Sequence, residues 1–344
     1  MVSRDGENLV FLLSLPRSGS TILSLLLGNH SAILCPPEPW FLLKLSTLTQ
    51  PGNVHSAFDD EWATIGTNQF LQDDTFVEAA RAFAATTYNR HLRAGDKSVL
   101  VDKTPRYYHI LQFIEALFPK ARKIWLQRNP LDVGLSYVNS WGVGIEIIVG
   151  KEVTTASFDF AIGPFNLAAY FDEASPYKLE VQYERLVRSP AATLADICRF
   201  LDIEFEEAML DYTRNEAMLS QHGNSIVGDG NAPATSSVHS DSVGKWATEL
   251  PPAEIQQIIE LLGSDILRRM GYEDTVTTLQ SLGMAMPSET KAAEARRRVG
   301  ASAVDKTGQL YDQLATLRRQ VRGLRAIALI LKKTRIDRLL ARLV

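Results

Sequence analysis

The sequence predicts an α/β fold, a parallel sheet flanked by helices, with a basic helical extension at its C-terminus. Three observations lead there. Short apolar runs bounded by turn residues alternate with longer stretches of helical spacing, the signature of βαβ units and of a sheet covered on both faces. The first apolar run ends in a Ser- and Gly-containing turn that opens a helix. Finally, charge is divided unevenly: residues 291–344 hold 14 Lys and Arg against four Asp and Glu, a net +10, which leaves −14 on the rest to give −4 overall.

The elements follow in order. Leu9–Leu15 is a buried strand running into Pro16-Arg17-Ser18-Gly19. Ser20–Gly28 has helical spacing, with Ile22, Leu23, Leu25, Leu26 and Leu27, and Gly28-Asn29 ends it. Asp74–Ala94 is an Ala-rich amphipathic helix closed by Gly95. Val99–Asp102 is the second strand, Tyr107–Leu117 a helix, and Lys123–Gln127 the third strand. Pro130–Trp141 opens with proline in its first turn, a position where the missing N–H costs nothing. Phe165–Glu173 is helical, Lys178–Gln182 is the fourth strand, and Pro190–Leu201 and Pro251–Met270 are helices. Gln221–Ser242, rich in Gly, Ser, Asn and His, reads as a long loop. The expected division is a domain over 1–272, a linker over 273–295 and a basic amphipathic tail over 296–344.

Composition excludes several classes. With 344 residues, 45% hydrophobic and 22% charged, the chain is long enough for a large α/β domain and is not disordered throughout. Two cysteines, Cys35 and Cys198, exclude a disulfide scaffold and a Cys-rich metal cluster. No apolar run approaches the roughly 18 residues of a membrane span. The Leu9–Leu15 run meets Pro16-Arg17 where a signal peptide needs small residues. The expectation is a soluble, cytoplasmic protein whose acidic body is no nucleic-acid binder.

The turn Ser14-Leu15-Pro16-Arg17-Ser18-Gly19-Ser20-Thr21 carries the chemistry. A Walker A loop, G-x-x-x-x-G-K-[ST], matches it at Gly19 and Thr21 but meets Ser14 at the first Gly and Ser20 at the Lys. A P-loop-like phosphate cradle survives, made of backbone N–H groups at a helix N-terminus plus two hydroxyls. The lysine that reaches the outer phosphates of a nucleoside triphosphate is absent, and Arg17 supplies a cation within the loop. That disfavours the alternative of a nucleotide kinase or NTPase.

Pro16-Arg17-Ser18-Gly19-Ser20-Thr21 resembles the 5′-phosphosulfate loop of sulfotransferases that use 3′-phosphoadenosine 5′-phosphosulfate (PAPS). Arg128-Asn129-Pro130-Leu131-Asp132-Val133-Gly134-Leu135-Ser136 resembles the family's 3′-phosphate motif, an Arg at a strand end and a Ser eight residues on. Val101-Asp102-Lys103-Thr104-Pro105, Val181-Gln182-Tyr183-Glu184-Arg185-Leu186 and Val243-Gly244-Lys245-Trp246 resemble three further family segments, so the likeness spans roughly residues 8–272. It lies closer to the tyrosylprotein and bacterial types than to the cytosolic animal types, whose late Arg-Lys-Gly motif is missing here.

The resemblance implies transfer of a sulfuryl group from PAPS to a hydroxyl, leaving 3′,5′-ADP and requiring no metal. The acceptor class stays open among small molecule, glycan and peptide. The cofactor would be held by Arg17, Ser18, Gly19, Ser20, Thr21, Arg128, Ser136, Tyr183 and Lys245, with Trp246 anchoring the loop. Arg17 and Lys103 are the expected cationic stabilisers. Glu38, stiffened by Pro37 and Pro39 and set beside Trp40 and Phe41, is the expected base, since related enzymes carry a Glu at about this interval from the loop Arg. His109 reads instead as a helix-face residue. The spacing of His222 and His239 fits no metal motif; with Asn224, Asp229 and Asn231 they read as substrate or nucleotide contacts, and segments 40–75, 140–165 and 221–242, all irregular on this reading, would line the acceptor.

In the tail, Leu310, Leu314, Leu317, Val321, Leu324, Ala328 and Leu331 recur at heptad spacing among arginines and lysines. A coiled-coil seam for self-association or docking is expected, with a basic helix on an anionic membrane surface as the competing reading.

Overall fold

A computed structural model describes residues 1–48, 60–71, 73–152, 154–211 and 240–299. The His- and Asn-containing part of the 221–242 loop and the heptad seam lie outside the described residues.

Five parallel strands form one sheet: β1 (Leu9–Leu13), β2 (Ile33–Leu34), β3 (Val99–Lys103), β4 (Arg122–Gln127) and β5 (Lys178–Gln182), in the order β2-β3-β1-β4-β5. β1 is central. Leu9, Phe11 and Leu13 face one apolar core, while Val10 and Leu12 face the other. An apolar run without alternation is what a strand buried on both faces requires. Register sets Leu12 of β1 against Lys103 of β3 and against Ile124 of β4.

Helices α1 (Ser20–Gly28), α2 (Phe41–Ser46), α3 (Asp60–Phe70), α4 (Asp73–Gly95), α5 (Leu111–Leu117) and α6 (Pro130–Trp141) lie in the first half. Asn129 caps α6, its Oδ1 accepting from the Leu131 N–H at 3.0 Å, with Pro130 in the first turn. After β1 the chain crosses to the edge at β2, steps back inward to β3 beside β1, then passes over to place β4 and β5 on the other side. The crevice at the carboxyl ends of β1, β3 and β4 is therefore a topological switch point, where α/β sheets bind ligands.

Several expectations need correction. The helix over Tyr107–Leu117 begins as a 3₁₀ turn, Tyr107–His109, and breaks at Ile110 before α5. Pro251–Met270 is two helices, Pro252–Leu262 and Ser264–Arg269, because Gly263 takes a left-handed φ of 77° between them. The segments read as irregular hold α2 and α3, and also α7 (Ile145–Ile148) and α8 (Thr155–Ala161). Residues 273–295 do not behave as a linker. Glu273–Ser281 is a helix that buries Val276 and Leu279, and residues 289–299 are helical across the expected 295/296 boundary. Ala292 and Val299 are buried, and Arg296 donates to the carbonyls of Leu261 and Leu262 with its guanidinium 3.9 Å from the Phe165 ring centroid. The compact body thus reaches Val299, and the short apolar spacing of these helices is what hid them.

Candidate active site

The turn after β1 is built from left-handed backbone: Arg17 has φ 66° and Gly19 φ 86°. Gly19 also has no room for a side chain, because a Cβ there would come within 2.4 Å of the Tyr183 ring. This delivers Ser20 and Thr21, both buried, to the first turn of α1, which has no side-chain cap. Uncapped N–H groups at a helix start carry partial positive charge. Ser14, just past β1, is buried with its Oγ unpartnered.

Three cations converge here from adjacent strands. Arg17, past β1, donates from Nε to Ser136 Oγ at 3.2 Å and from Nη2 to Ser140 Oγ at 2.8 Å, and its guanidinium lies 5.3 Å from the Trp141 ring centroid. Ser136 and Ser140 stand one turn apart on α6, so a single face of that helix aims the arginine. Lys103, the last residue of β3, is fully buried; its Nζ donates to Glu38 Oε1 at 2.6 Å and lies 3.4 Å from Thr21 Oγ1. Arg128, past β4, donates from Nη1 to the Arg17 carbonyl at 2.8 Å and from Nη2 to the Ser242 carbonyl at 3.0 Å. Its guanidinium sits 4.7 Å from the Tyr183 ring centroid, and its Nε is buried without a partner. Tyr183 shares a 2.8 Å hydrogen bond with Ser242.

Glu38 is the carboxylate of this cluster. Its side chain is 10% exposed, with Oε1 on Lys103 and Oε2 accepting from the Trp40 Nε1–H at 2.9 Å. Beneath it, Asp102 accepts from the hydroxyls of Tyr88 (2.6 Å), Tyr107 (2.9 Å) and Thr104 (2.9 Å). Burial pushes the Asp102 carboxyl up to about 6 against the pull of those hydroxyls. Lys103 pairs with Glu38 and not with its chain neighbour Asp102, because adjacent residues of a strand point to opposite faces and Asp102 is taken up by the three hydroxyls.

The structure brings Arg17, Ser18, Gly19, Ser20, Thr21, Glu38, Lys103, Arg128, Ser136 and Tyr183 to one crevice. Two arrangements differ from expectation. Ser136 hydrogen-bonds Arg17, where the motif would couple it to Arg128. Lys245 is half-exposed and pairs with Glu249 at 3.4 Å, because both lie on one helical face. Its segment is nonetheless pinned to the site: Asp132 on α6 accepts from the N–H groups of Gly244 (2.7 Å) and Trp246 (3.1 Å), and Trp246 is buried as an anchor. His109 is exposed beside Tyr108, on a 3₁₀ turn.

Comparison with known proteins identifies the family. A sequence profile of the Sulfotransferase family matches residues 10–207. The chain belongs to that family. It is 30% identical over 303 residues to nodulation protein NoeE of Sinorhizobium fredii, covering 82% of this chain and 71% of that one. It is 24% identical to protein-tyrosine sulfotransferase 1 of Danio rerio, covering 77% and 72%. Among solved structures, the sulfotransferase domain of the curacin biosynthetic pathway shares the fold with a TM-score of 0.54, at 22% identity, over 81% of this chain and 98% of that one. The sulfotransferase domain of the Synechococcus PCC 7002 olefin synthase does so with a TM-score of 0.53, at 23% identity, over 81% and 95%. The family reading prevails over the kinase alternative.

Sequence reasoning missed Ser140, Asp132, Arg106 and Asp159. Arg106 and Asp159 make a bidentate ion pair at 2.9 and 2.8 Å across 53 positions. No local pattern links two such residues. Ser140 was legible in principle, four positions after Ser136 on the same predicted helix.

Proposed function

We propose that this sulfotransferase moves the sulfuryl group of PAPS to the hydroxyl of an acceptor. The observation that carries the reading is Lys103, which joins Glu38 Oε1 at 2.6 Å to the phosphate-loop hydroxyl of Thr21 at 3.4 Å. These contacts support a reading in which Glu38 takes the acceptor proton and Lys103 serves the bridging oxygen beside a phosphate cradle. The donor atoms present fit the nucleotide: the uncapped start of α1, the Ser20 and Thr21 hydroxyls, and the spare buried Nε of Arg128.

In this reading Glu38 takes the proton from the acceptor hydroxyl as its oxygen bonds to sulfur, and the bond from sulfur to the 5′-phosphate oxygen breaks to release 3′,5′-ADP. Lys103 offsets charge growing on the bridging oxygen, and Arg17 offsets charge on the sulfuryl oxygens. Ser20, Thr21 and the N–H groups of Ser18 and Gly19 hold the 5′-phosphate, with Arg128 on the 3′-phosphate, Tyr183 beside the nucleotide, and Ser136 acting through Arg17. In this reading Lys103, Arg17 and Arg128 supply the positive charge that the transfer requires.

The acceptor, of hydroxyl type, is a small molecule, glycan or peptide. The heptad tail serves self-association or contact with an anionic membrane surface. The test of the central reading is thermal shift. A ligand that binds only the native state raises its stability, so 3′,5′-ADP is expected to raise the melting temperature and ATP–Mg²⁺ to do so weakly. Equal shifts from both would overturn it.

A further inference from the structure

Glu38 is held by more than Lys103. Its second oxygen takes the indole N–H of Trp40 at 2.9 Å, so neither carboxylate oxygen is free to swing. Trp40 follows Pro39 and has a left-handed φ of 57°, a conformation that an ordinary side chain adopts only where its surroundings impose it. Two contacts impose it. The Trp40 backbone N–H reaches Thr104 Oγ1 at 3.4 Å, and Thr104 donates onward to Asp102. The indole ring lies against the Arg106 guanidinium, 5.9 Å from centroid to Cζ.

Arg106 is itself fixed. It too is left-handed, with φ 75°, and its fork grips both oxygens of Asp159 at 2.9 and 2.8 Å. Asp159 is wholly buried and also accepts from Tyr108 (2.6 Å) and Tyr137 (2.8 Å). Tyr137 adjoins Ser136, the residue that aims Arg17. The rigid element behind the carboxylate is therefore the same helix, α6, that orients the loop cation. A bidentate, stacked arginine cannot be replaced by lysine without losing both features.

We infer that Trp40 and Arg106 are positioning residues for Glu38: Trp40 fixes the second carboxylate oxygen, and Arg106, anchored on Asp159, fixes the Trp40 ring. The inference rests on Glu38 as base for its catalytic consequence, and on geometry alone for the contact itself. Among the described residues, the charged groups facing Glu38 are Lys103 directly, Asp102 beneath β3's end, and Arg106 with Asp159 behind the indole.

The contact is tested without any acceptor. Five tryptophans give five indole N–H resonances in a ¹⁵N-labelled full chain; the Trp40 signal is the one lost in Trp40→Phe. It is expected to shift on Glu38→Gln, when a carboxylate acceptor becomes an amide, and to exchange faster with solvent in Arg106→Lys. A Trp40 resonance indifferent to Glu38→Gln would overturn the contact. The consequence is read with PAPS and a panel of hydroxyl acceptors. Trp40→Phe keeps the ring and removes the donor, so kcat is expected to fall about tenfold to a hundredfold, the scale of a misplaced catalytic group. PAPS affinity by calorimetry should stay unchanged, and the acid limb of the rate profile should move to higher pH as the carboxylate loses a donor. Arg106→Lys should move kcat and the acid limb in the same directions. Unchanged kcat and acid limb in Trp40→Phe, while Glu38→Gln abolishes turnover, would overturn the positioning role and leave the base intact. Full turnover in Glu38→Gln would instead refute the base, and the resonance test would still stand.

Discussion

Replacing Arg128 by Ala is expected to weaken 3′,5′-ADP binding by about 10- to 150-fold. The size follows from how the guanidinium is used. Nη1 and Nη2 each donate once, to the carbonyls of Arg17 and Ser242, so of the five guanidinium N–H groups the buried Nε–H, which has no partner among the described residues, is the one we assign to a phosphate oxygen. A hydrogen bond involving a charged group contributes about 1.5–3 kcal/mol, and each 1.4 kcal/mol is tenfold in affinity. The two carbonyl bonds go as well, so on the same scale the free protein should lose roughly 3–6 kcal/mol of stability from those contacts, less whatever water recovers at the freed carbonyls. The effects separate by measurement: calorimetric titration well below the melting temperature reads affinity, and thermal unfolding without ligand reads the structural cost. Arg128→Lys should fall between, because it retains charge and loses the fork. If Arg128→Ala binds 3′,5′-ADP with parental affinity while melting earlier, the residue is a structural clamp between the phosphate loop and Ser242, and its place in the site is refuted.

Other expectations follow from the same geometry. Glu38→Gln should cut turnover about 10²–10⁴-fold, the usual worth of a general base, with 3′,5′-ADP affinity nearly unchanged; normal turnover there with loss in His109→Ala would move the base to His109. Burial raises the Asp102 carboxyl from its ordinary 3.8 to about 6 in the fold, so its ionisation favours unfolding: the cost is absent below about 3.8, grows as pH rises, and is complete above about 6. Stability of the parent relative to Asp102→Asn should therefore fall by about 3 kcal/mol between pH 4 and 7, and a pH-independent difference in denaturant midpoints would contradict it. Truncation after Val299 should leave a folded body that binds 3′,5′-ADP and has an altered light-scattering mass. Truncation after Lys291 should also lower the melting temperature, since it removes buried Ala292 and Val299 and the Arg296 contacts; equal melting of the two forms would show that residues 292–299 add nothing.

The fold was largely legible because its central strand β1 is buried on both faces and announces itself as an apolar run, with shorter apolar stretches in β3 and β4 beside it. β5 and α6 fall where the spacing puts them, at Lys178–Gln182 and Pro130–Trp141. β2 was invisible, being two residues long and held by pairing with Val99 and Leu100. The phosphate loop was legible for a different reason: left-handed backbone at Gly19 and a helix start impose a local residue pattern. Partnerships were not legible. Nothing in the order of residues says that Lys103 chooses Glu38 over adjacent Asp102, or that Ser136 bonds Arg17. Those choices depend on which side of a strand or helix faces the crevice, and so on packing between distant segments.

That dependence also explains how the site works without the lysine of an ordinary phosphate loop. In that motif the cation comes from the first turn of the helix, where this chain has Ser20. Here Lys103 approaches from the neighbouring strand and comes to 3.4 Å from Thr21 Oγ1, in the same first turn. It does so because the parallel register sets it opposite Leu12, on the last paired rung before the loop begins. Arg17 and Arg128 leave the ends of the two strands β1 and β4, so three cations fan out from three adjacent strands of an otherwise acidic body. Each strand end points the same way only because the sheet is parallel; an antiparallel neighbour would send its cation to the opposite edge. A slip of one residue between β1 and β3 would also swing Lys103 to the other face of the sheet and leave Glu38 without its partner. Strand register, more than the loop sequence, therefore decides that Lys103 stands between the phosphate-loop hydroxyl of Thr21 and Glu38, which in the proposed reading is where sulfuryl transfer builds negative charge.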